Sequence, residues 1–420
     1  MNRARPTVLT RLSQTEVSAT AARHEMLYSG RLGGARATFT FCDLSGLDLA
    51  GRNLADADFT GAVLEETNLS GARLDAASFF GADLRRANLA NAQMRRADLR
   101  GASLRGANLI GTDLYEADFR EGAIMEKDRH GNLKMLQHDA KPSELPAAML
   151  NSANLERAKL TGAMAAQADF TDAVMKGCRL TRANLRQARL TGANLENADL
   201  SGCDLSGADL AGAILVGARM DFANTHGADM SHTLTDKSEP DPAETKRIEE
   251  MLEAHARWAE TDGREGAPAD LAGLDLRRVR NLSHRMLTAL TASNAVLYGV
   301  NLDGASLQGS NLAGCDLRSA RFHGADLRGV NLSGAKLSHA DLSDSNLGPL
   351  LITGDRLLPA RLDNVEARYA DFHGADLRKA RMAGSDLAYT NLVGSDLRGA
   401  DMTDVTLMGA KLPMQFAEIA

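Results

Sequence analysis

Residues 82–111 read ADLRR ANLAN AQMRR ADLRG ASLRG ANLIG when they are written in groups of five. The first residue of every group is alanine, and the third is large and apolar. The same step through the surrounding sequence, from Phe39 to Ile124, meets a large apolar residue at all eighteen positions. The fold therefore has to account for a period of five.

This period returns in two further blocks. From Leu150 to Met230 it is interrupted only by Ala165 and Thr225, and from Leu297 to Leu412 only Ala367 is small. Aromatic residues make up 4% of the chain, so leucine and alanine must fill most of the core. Small side chains repeated in this way are typical of a repetitive interior.

Small residues form a second register, two positions before each large residue. Between residues 148 and 228 this register holds alanine fifteen times and cysteine twice. All four cysteines of the chain occupy it: Cys42, Cys178, Cys203 and Cys315. The sequence contains no CxxC pair, so neither a zinc site nor a redox site is indicated. We therefore predict that the cysteines replace alanine as small buried side chains without chemistry.

A period of five fits neither an α-helix nor a one-sided sheet. At about 100° per residue, five helical steps leave a net rotation of about 140°, so the leucines would spiral around a helix without forming a stripe. In a strand, an odd period sends successive leucines to opposite faces. The chain must therefore turn a corner within every five residues, with the small and the large residue both pointing inward.

Longer spacings indicate how many sides close one coil. The phenylalanines that occupy the large register of the first block are separated by multiples of twenty residues: Phe39, Phe59, Phe79 and Phe119. A four-sided coil would stack them. Asn68, Asn88 and Asn108 share this spacing, which predicts an amide ladder between stacked coils.

The unit A-(D/N)-L-x-x resembles the pentapeptide-repeat family. It is seen at residues 82–84, 107–109, 193–195 and 325–327. The resemblance implies an all-β fold, a right-handed quadrilateral parallel β-helix, with the leucines stacked inside. It also implies a bacterial protein whose role is binding.

Two helices are predicted, one before each solenoid half. Ser13 and Glu16 form a capping box for a helix that Gly30 can end. Residues 241–244 open a second helix, which carries Ile248, Met251, Leu252, His255 and Trp258 on one side and stops at Gly263. Both helices lead into the pattern DLxGLDL, at residues 43–49 and 270–276, which indicates an internal duplication. We expect the helices to cap the exposed edges of the first coils.

The predicted domain organisation has four parts. They are an N-terminal segment with its capping helix (1–36), a first solenoid (37–234) interrupted by an insertion (125–147), a linker with the second capping helix (235–268), and a second solenoid (269–420). The insertion shifts the phase by one residue, and a hairpin centred on residues 129–132 is predicted there. It is read either as a tolerated surface loop or as a partner-binding loop. Around residues 348–359 the consensus fails while the phase is kept, which predicts distorted coils.

Charge and hydropathy narrow the function classes. Forty-eight basic residues nearly balance fifty-five acidic ones, so direct nucleic-acid binding is not indicated. Residues 1–14 carry three arginines but no apolar stretch, and no window suggests a membrane span. We therefore expect a soluble cytoplasmic protein that does not bind membranes.

Catalytic patterns are not found. The ten histidines do not cluster, and the glycines fall at corners in phase with the repeat. His323 and His373 are expected in solvent, and His24 and His255 at the helices. We predict no enzyme activity, no cofactor and no catalytic or metal site.

Any function should therefore lie on the outer faces. Three charge patterns stand out there. Residues 58, 78, 98 and 118 should form an acidic strip, and residues 301, 321, 341, 361, 381 and 401 should share a face of mixed sign. Arg85, Arg86, Arg95, Arg96, Arg100 and Arg105 are expected to form a basic collar and not a groove.

The leading functional interpretation is a non-enzymatic scaffold that presents rigid polar faces to an unknown protein partner. The resemblance offers an alternative, because some family members imitate a DNA duplex and bind type II topoisomerases such as DNA gyrase. A third reading is a ligand-binding or enzymatic role through the insertion loop. The C-terminal tail, with Met414, Phe416 and Ile419, is interpreted either as a cap on the last coil or as a dimerisation segment.

Overall fold

The computed structural model describes residues 9–122, 125–127, 133–135, 142–236 and 242–413. The chain divides into two compact units, Met1–Lys237 and Ser238–Ala420, which are described separately. Its regular elements are, in chain order, β1 (Thr10–Arg11), α1 (Gln14–Tyr28), β2 (Cys42–Asp43), β3 (Met125–Lys127), β4 (Leu133–Met135), α2 (Pro242–Glu260), β5 (Leu350–Thr353) and β6 (Arg356–Leu358). No helix in the described part of the chain is long and apolar enough to span a bilayer.

Single-residue parallel bridges connect most of the backbone. The residue before each large apolar one bridges to its counterpart twenty residues later, as Asn68 does with Asn88 and Asn88 with Asn108. The Leu89 N–H donates to the Asn108 carbonyl at 2.7 Å, and the Asn88 N–H donates to the Thr67 carbonyl at 2.9 Å. Four repeats lie between bridged residues, so each unit is a β-helix of stacked short segments.

The two inward registers form the core of each unit. Leu89 and Ala87 are fully buried, as are nearly all their counterparts. Phe59 stacks on Phe39 and on Phe79, with ring centroids 5.1 and 4.8 Å apart. Offset or parallel aromatic contacts of this kind add to the free energy gained by burial. The stacking predicted from the twenty-residue spacing is confirmed for these three rings.

The second residue after each large one turns the chain. Gly81 has a φ of 61°, while Arg86 and Arg96 both have a φ of 57°. This left-handed region costs an ordinary residue roughly 1–2 kcal/mol, which glycine avoids. Arginines nevertheless adopt it, because the inter-coil hydrogen bonds fix the corner. Their side chains are exposed there.

Polar residues in the inner register bond to the coil below. The Thr67 hydroxyl donates to the Leu44 carbonyl at 2.9 Å, and the thiols of Cys203 and Cys315 donate to carbonyls at 2.8 Å, in each case 23 residues earlier. Burial raises the pKa of both thiols to about 12. These thiols therefore stay protonated near neutral pH, which makes them poor nucleophiles. Cys178 is equally buried, whereas Cys42 is only partly buried.

The first insertion contains the predicted hairpin. β3 and β4 pair antiparallel, with Met125 opposite Met135. The centre of the predicted turn, residues 129–132, lies outside the described residues. Ser103 bridges to Glu144 across 41 residues, twenty-one more than one ordinary coil. After the hairpin the chain therefore rejoins the same ladders of bridges. The five-residue period of the sequence is shifted by one residue across the insertion.

The second interruption differs from the prediction. Residues 350–358 form the antiparallel β5–β6 hairpin and not distorted coils. Ile352 and Leu357, which fit the five-residue period, are 49% and 42% exposed. Asn331 bridges to Arg361 across thirty residues, so the hairpin adds ten residues to the coil. Ten residues equal two repeats. The five-residue period therefore continues in phase on both sides of the hairpin, and the sequence does not reveal it.

This extra length also moves a predicted face. Asn301, Arg321 and Asp341 lie in one ladder as expected, but that ladder continues to Asp371. Arg361 instead continues the ladder of Asn331 and leads to Arg381 and Asp401. The predicted face of mixed sign is therefore wrong beyond residue 341, because the hairpin displaces the following residues by two sides.

In each unit a helix precedes the coils and packs on the core. Ser13 and Glu16 form the predicted capping box of α1, and Val17 and Ala21 are buried in the first core. Ile248 and Leu252 of α2 are buried in the second core, with Met251 partly buried beside them.

Both helices carry a buried histidine whose Nδ1 accepts a hydrogen bond from the backbone. The Ala37 N–H donates to Nδ1 of His24, and the Ala269 N–H donates to Nδ1 of His255, each at 3.0 Å. The shared contact agrees with an internal duplication of helix and solenoid.

β1 was not predicted from the sequence. Thr10 and Arg11 pair in parallel with Cys42 and Asp43 of β2, and the Arg11 guanidinium lies 2.7 Å from the Asp43 carboxylate. A two-residue strand has no periodicity of its own, so no sequence pattern could reveal it. β1 covers part of the edge of the first coil, which would otherwise be open to other chains.

Candidate interaction surface

Ion pairs within single repeats cover much of the outer surface. In the sequence Asp-Leu-Arg the two polar residues flank an inward leucine, so both point outward. The Arg398 guanidinium lies 2.6 Å from the Asp396 carboxylate, and its hydrogen bond lowers the pKa of Asp396 to about 2. The same pairing at 2.6–2.7 Å recurs at residues 83/85, 98/100, 118/120, 275/277, 316/318, 326/328 and 376/378. These pairs neutralise aspartates that the sequence alone suggests are free.

Amide ladders connect neighbouring coils elsewhere. The Asn88 side-chain amide donates to Asn68 at 3.2 Å, and the Asn108 amide donates to Asn88 at 3.1 Å. The Asn68 amide donates to the Asp48 carboxylate at 3.0 Å. The predicted asparagine ladder is confirmed, and it holds this face in one register.

The residues of the predicted acidic strip share one ladder, but Asp98 and Asp118 are neutralised by Arg100 and Arg120. Asp58, Ser78, Asp98 and Asp118 follow one another in a single ladder. Beyond the first insertion the same ladder continues as Lys159, Arg179, Asp199 and Arg219. The charged residues of this ladder are therefore acidic before the first insertion and mostly basic after it.

Beside this ladder a groove runs along one corner of the first unit, and we call it the corner groove. Its larger part encloses about 750 Å³. That part is lined by Arg96, Ala97, Asp98, Arg100, Glu116, Asp118, Arg157, Lys159, Gly177 and Arg179. A smaller part of about 460 Å³ extends toward α1. The two parts share Arg96 and Glu116, so they meet there.

Several cations of the corner groove are held in place by neighbours. Arg100 forms an ion pair with Asp98 at 2.7 Å, and Arg157 donates to the Tyr115 hydroxyl at 3.0 Å. The Arg95 guanidinium lies over the Tyr115 ring, 4.9 Å from its centroid. Such cation–π contacts contribute about 0.5–1 kcal/mol at exposed sites.

Three other cations of the corner groove have no such partner. In the described part of the chain, no carboxylate oxygen lies within 4.0 Å of the side-chain nitrogens of Arg96, Lys159 or Arg179. Arg96 and Arg179 are exposed and Lys159 is half-buried. The larger part of the groove has five cations against three carboxylates in its lining, so it is basic.

The predicted basic collar is only partly correct. Arg85 and Arg86 form ion pairs with Glu65, and Arg105 lies 3.8 Å from Glu144. Arg95, Arg96 and Arg100 instead line the corner groove. The sequence missed this groove because its residues come from four coils on both sides of the first insertion. A bridge across that insertion could not be placed from the five-residue period alone.

The histidines in the described part of the chain do not assemble a site. His323 and His373 are exposed, and Nδ1 of His323 lies 2.9 Å from the Ser343 hydroxyl. His24 and His255 are buried against the helices. Over the described ranges, no group of histidine, cysteine, aspartate and glutamate side chains has the geometry to hold a metal ion.

The protein is a solenoid of five-residue repeats. Three features define this class: bridges at twenty-residue intervals, a core of alanine and leucine, and aspartate or asparagine side chains that point outward. The model of the pentapeptide-repeat family matches more than half of the chain, and the chain belongs to this family. The matched segments merge into residues 42–79, 82–120, 147–233, 295–348 and 360–412. Proteins of this family are generally structural or interaction proteins.

Solved pentapeptide-repeat structures also match. Rfr23 from the cyanobacterium Cyanothece 51142 is 31% identical, over 32% of this chain and 91% of its own, with a TM-score of 0.28. HetL from Nostoc sp. strain PCC 7120, involved in heterocyst differentiation regulation, is 22% identical over 93% of this chain and 95% of its own, with a TM-score of 0.19.

QnrB1, a plasmid-mediated fluoroquinolone resistance protein, is 15% identical in one trypsin-treated form. That match covers 51% of this chain and 97% of QnrB1, with a TM-score of 0.33. No curated protein matches the chain. Because all three TM-scores are below 0.5, the family assignment depends on the repeat model and on the bridge pattern.

Proposed function

We propose that this chain is a non-enzymatic interaction protein that presents rigid polar faces to a protein partner. The observation that carries the proposal is the hydrogen-bonded order of the outer surface. Side-chain ladders link successive coils, and Asp-Leu-Arg pairs fix the charges within coils. A surface ordered before binding loses little conformational entropy when a partner docks.

The finer architecture belongs to the same proposal. A bridge every twenty residues supports a quadrilateral coil, and the family supports right-handed winding. The burial of Val17 and Ile248 in their cores supports capping roles for α1 and α2. We also retain the domain boundaries 1–36, 37–234, 235–268 and 269–420, a bacterial cytoplasmic location, and the homodimer as an alternative assembly.

The proposal is tested by finding and reconstituting the partner. We expect affinity purification of the full chain from its native host to recover a protein that binds the purified chain directly. Calorimetry should give a micromolar or tighter Kd for the two purified components. The proposal would be contradicted if none of the recovered proteins bound the purified chain.

DNA mimicry with gyrase or another type II topoisomerase as partner is the weaker alternative. A mimic needs closely spaced negative charge, since duplex DNA carries one charge per about 1.7 Å. Here arginines neutralise many aspartates within their own repeats, and the ladder from Asp58 changes sign at Lys159. These observations favour a partner other than a topoisomerase.

We accordingly expect no effect of the purified chain on DNA supercoiling by gyrase at micromolar concentrations. The assay should include quinolone, so that both inhibition and protection are measured, with QnrB1 run in parallel as a comparison. Dose-dependent inhibition or protection by this chain would restore the DNA-mimic alternative.

A ligand-binding or enzymatic role through residues 125–147 is the remaining alternative. The described part of this insertion consists of the short strands β3 and β4 and residues 142–147. No contact, distance or charge in these residues specifically favours a catalytic site, so this alternative ranks last.

A further inference from the structure

The corner groove of the first unit has a charge pattern that specifies a kind of partner. We propose that it binds an extended acidic segment of a protein, with Arg96, Lys159 and Arg179 contacting separate carboxylates of that segment. This inference rests on the proposed function, because it names the chemistry of the partner.

The ladder fixes the positions of these three cations. Asp98, Asp118, Lys159 and Arg179 occupy four successive coils through consecutive bridges. Arg96 lies two residues before Asp98, at the corner of the first of these coils. Stacked strands are about 4.8 Å apart, so the three cations span about 14 Å along the coil axis. That length corresponds to roughly four extended residues at about 3.3 Å each.

The free charge of the groove is accessible without disrupting existing pairs. Arg100 and Arg157 are already engaged with Asp98 and Tyr115. Arg96, Lys159 and Arg179 lack a direct ion pair within the described residues, so a ligand carboxylate does not have to displace one. Lys159 and Arg179 act electrostatically on Asp118 and Asp199, respectively, from a longer distance. The backbone of Arg96 is also held in the corner conformation, with a φ of 57°.

Carboxylates in the lining favour a peptide over a nucleic acid. Asp98, Glu116 and Asp118 lie between the cations. A nucleic-acid strand carries one phosphate about every 3.4 Å, so it would bring negative charges against these carboxylates. An extended peptide can space its acidic side chains on alternate residues and direct its own N–H groups to Glu116. The mixed sign of the groove therefore fits an acidic peptide.

The substitutions that test this inference use residues that the coil already carries at equivalent positions. Arg96→Glu copies Glu116 of the next coil, while Lys159→Asp and Arg179→Asp copy aspartates of the same ladder. The matched control is the triple variant Arg31→Glu, Arg182→Glu and Arg356→Glu, which alters the charge by the same amount at exposed arginines that do not line the groove and have no carboxylate within 4.0 Å among the described residues. Thermal melting should confirm that both full-length variants are folded.

The probe is a fluorescein-labelled twelve-residue peptide in which glutamate alternates with serine, measured by fluorescence polarisation at 50 mM salt. The reference peptide has glutamine in place of glutamate. We expect only the acidic peptide to bind, with affinity at least tenfold weaker for the groove variant and within twofold for the control variant. High salt should weaken binding, because exposed charges are screened within about 10 Å at 0.1 M.

Three outcomes would overturn the inference. They are absence of binding to the wild-type chain, equal losses in both triple variants, and tighter binding of a twelve-nucleotide single-stranded DNA than of the peptide. Failure here is distinguishable from failure of the proposed function. A purified partner that still binds the groove variant with unchanged affinity would refute the groove and leave the interaction role intact.

Discussion

Replacing Leu89 with arginine should unfold much of the first unit. Leu89 is fully buried, and its backbone N–H and carbonyl both form hydrogen bonds. A guanidinium at this position would have no carboxylate beside it, and an unpaired buried charge costs several kcal/mol. The free energy of unfolding of a domain is typically only about 5–15 kcal/mol, so the cost of this substitution is a large fraction of it. Thermal melting followed by circular dichroism should show the loss.

The adjacent residue provides the control. Ala90→Arg adds the same side chain one position further on, where Arg85 and Arg100 already stand in their own repeats. We expect its melting temperature to stay within a few degrees of the wild-type value. Hydrogen exchange should show loss of protection that extends through the first unit from the coils near residue 89, since each repeat depends on its neighbours. Unchanged melting of Leu89→Arg would contradict the inward placement of the large residues.

Acidification should loosen α1 and α2 through their buried histidines. Because the Ala37 N–H donates to Nδ1 of His24, the neutral ring carries its proton on Nε2, which donates to the Ala55 carbonyl at 2.8 Å. Burial lowers the pKa of His24 below its ordinary value of 6.5, and Arg36 acts in the same direction. The Ala55 carbonyl, Asp56 and Glu25 act in the opposite direction on this pKa.

His255 responds in the same direction. Burial lowers its pKa, while the Thr288 and Leu287 backbone raises it. The Trp258 ring lies 5.5 Å from the imidazole. Protonation at Nδ1 would turn the acceptor of the Ala269 N–H into a second donor. An unsatisfied buried donor costs about 1–3 kcal/mol.

The sign of the pH dependence follows from these directions. Both histidines bind protons more weakly in the folded chain than in the unfolded chain, so their contribution is complete above pH 6.5 and is lost as the pH falls below it. We expect a lower melting temperature at about pH 5.5 than at about pH 7.5, and faster hydrogen exchange in α1 and α2. Aspartates with lowered pKa values, such as Asp396, remain ionised in this range.

The double variant His24→Gln and His255→Gln supplies the comparison. It cannot titrate at these positions, so its melting temperature should vary less between the two pH values, although it starts from lower stability. Histidine NMR titration of the wild-type chain gives a direct check. Resonances of His24 or His255 that titrate above pH 6.5 would refute this prediction.

The period of five is enough to predict most of the fold. Leu89 and Ala87 are predicted to point inward and are fully buried, and the stacking of Phe59 follows from its spacing. The pattern is informative because every repeat meets the same steric requirements. A single failure at Thr225 or Ala367 does not disturb the others.

The sequence is less informative wherever the chain leaves the coil. The β5–β6 hairpin was missed because its length is a whole number of repeats and Ile352 and Leu357 fit the register by residue type. Type alone does not distinguish a buried leucine from an exposed one. β1 was missed because two residues are too few to show a period.

The corner groove depends on long-range register. Arg96 and Arg179 are 83 positions apart in the sequence, and bridges across the first insertion, such as that of Asp118 with Lys159, bring their coils close together. The five-residue period specifies which side a residue faces within one block. It does not specify how two blocks align across an insertion of unknown shape.

The β5–β6 hairpin has a consequence for engineering. The coil stops at Leu347 and resumes at Ala360, while the bridges of Asn331 with Arg361 and of Asn346 with Asp376 are both formed. A grafted epitope could therefore replace the hairpin without altering the inward registers, provided that its ends remain close together. Each doubling of such a loop costs only about 0.6 kcal/mol in closure entropy, so this position is a suitable attachment point for foreign peptides.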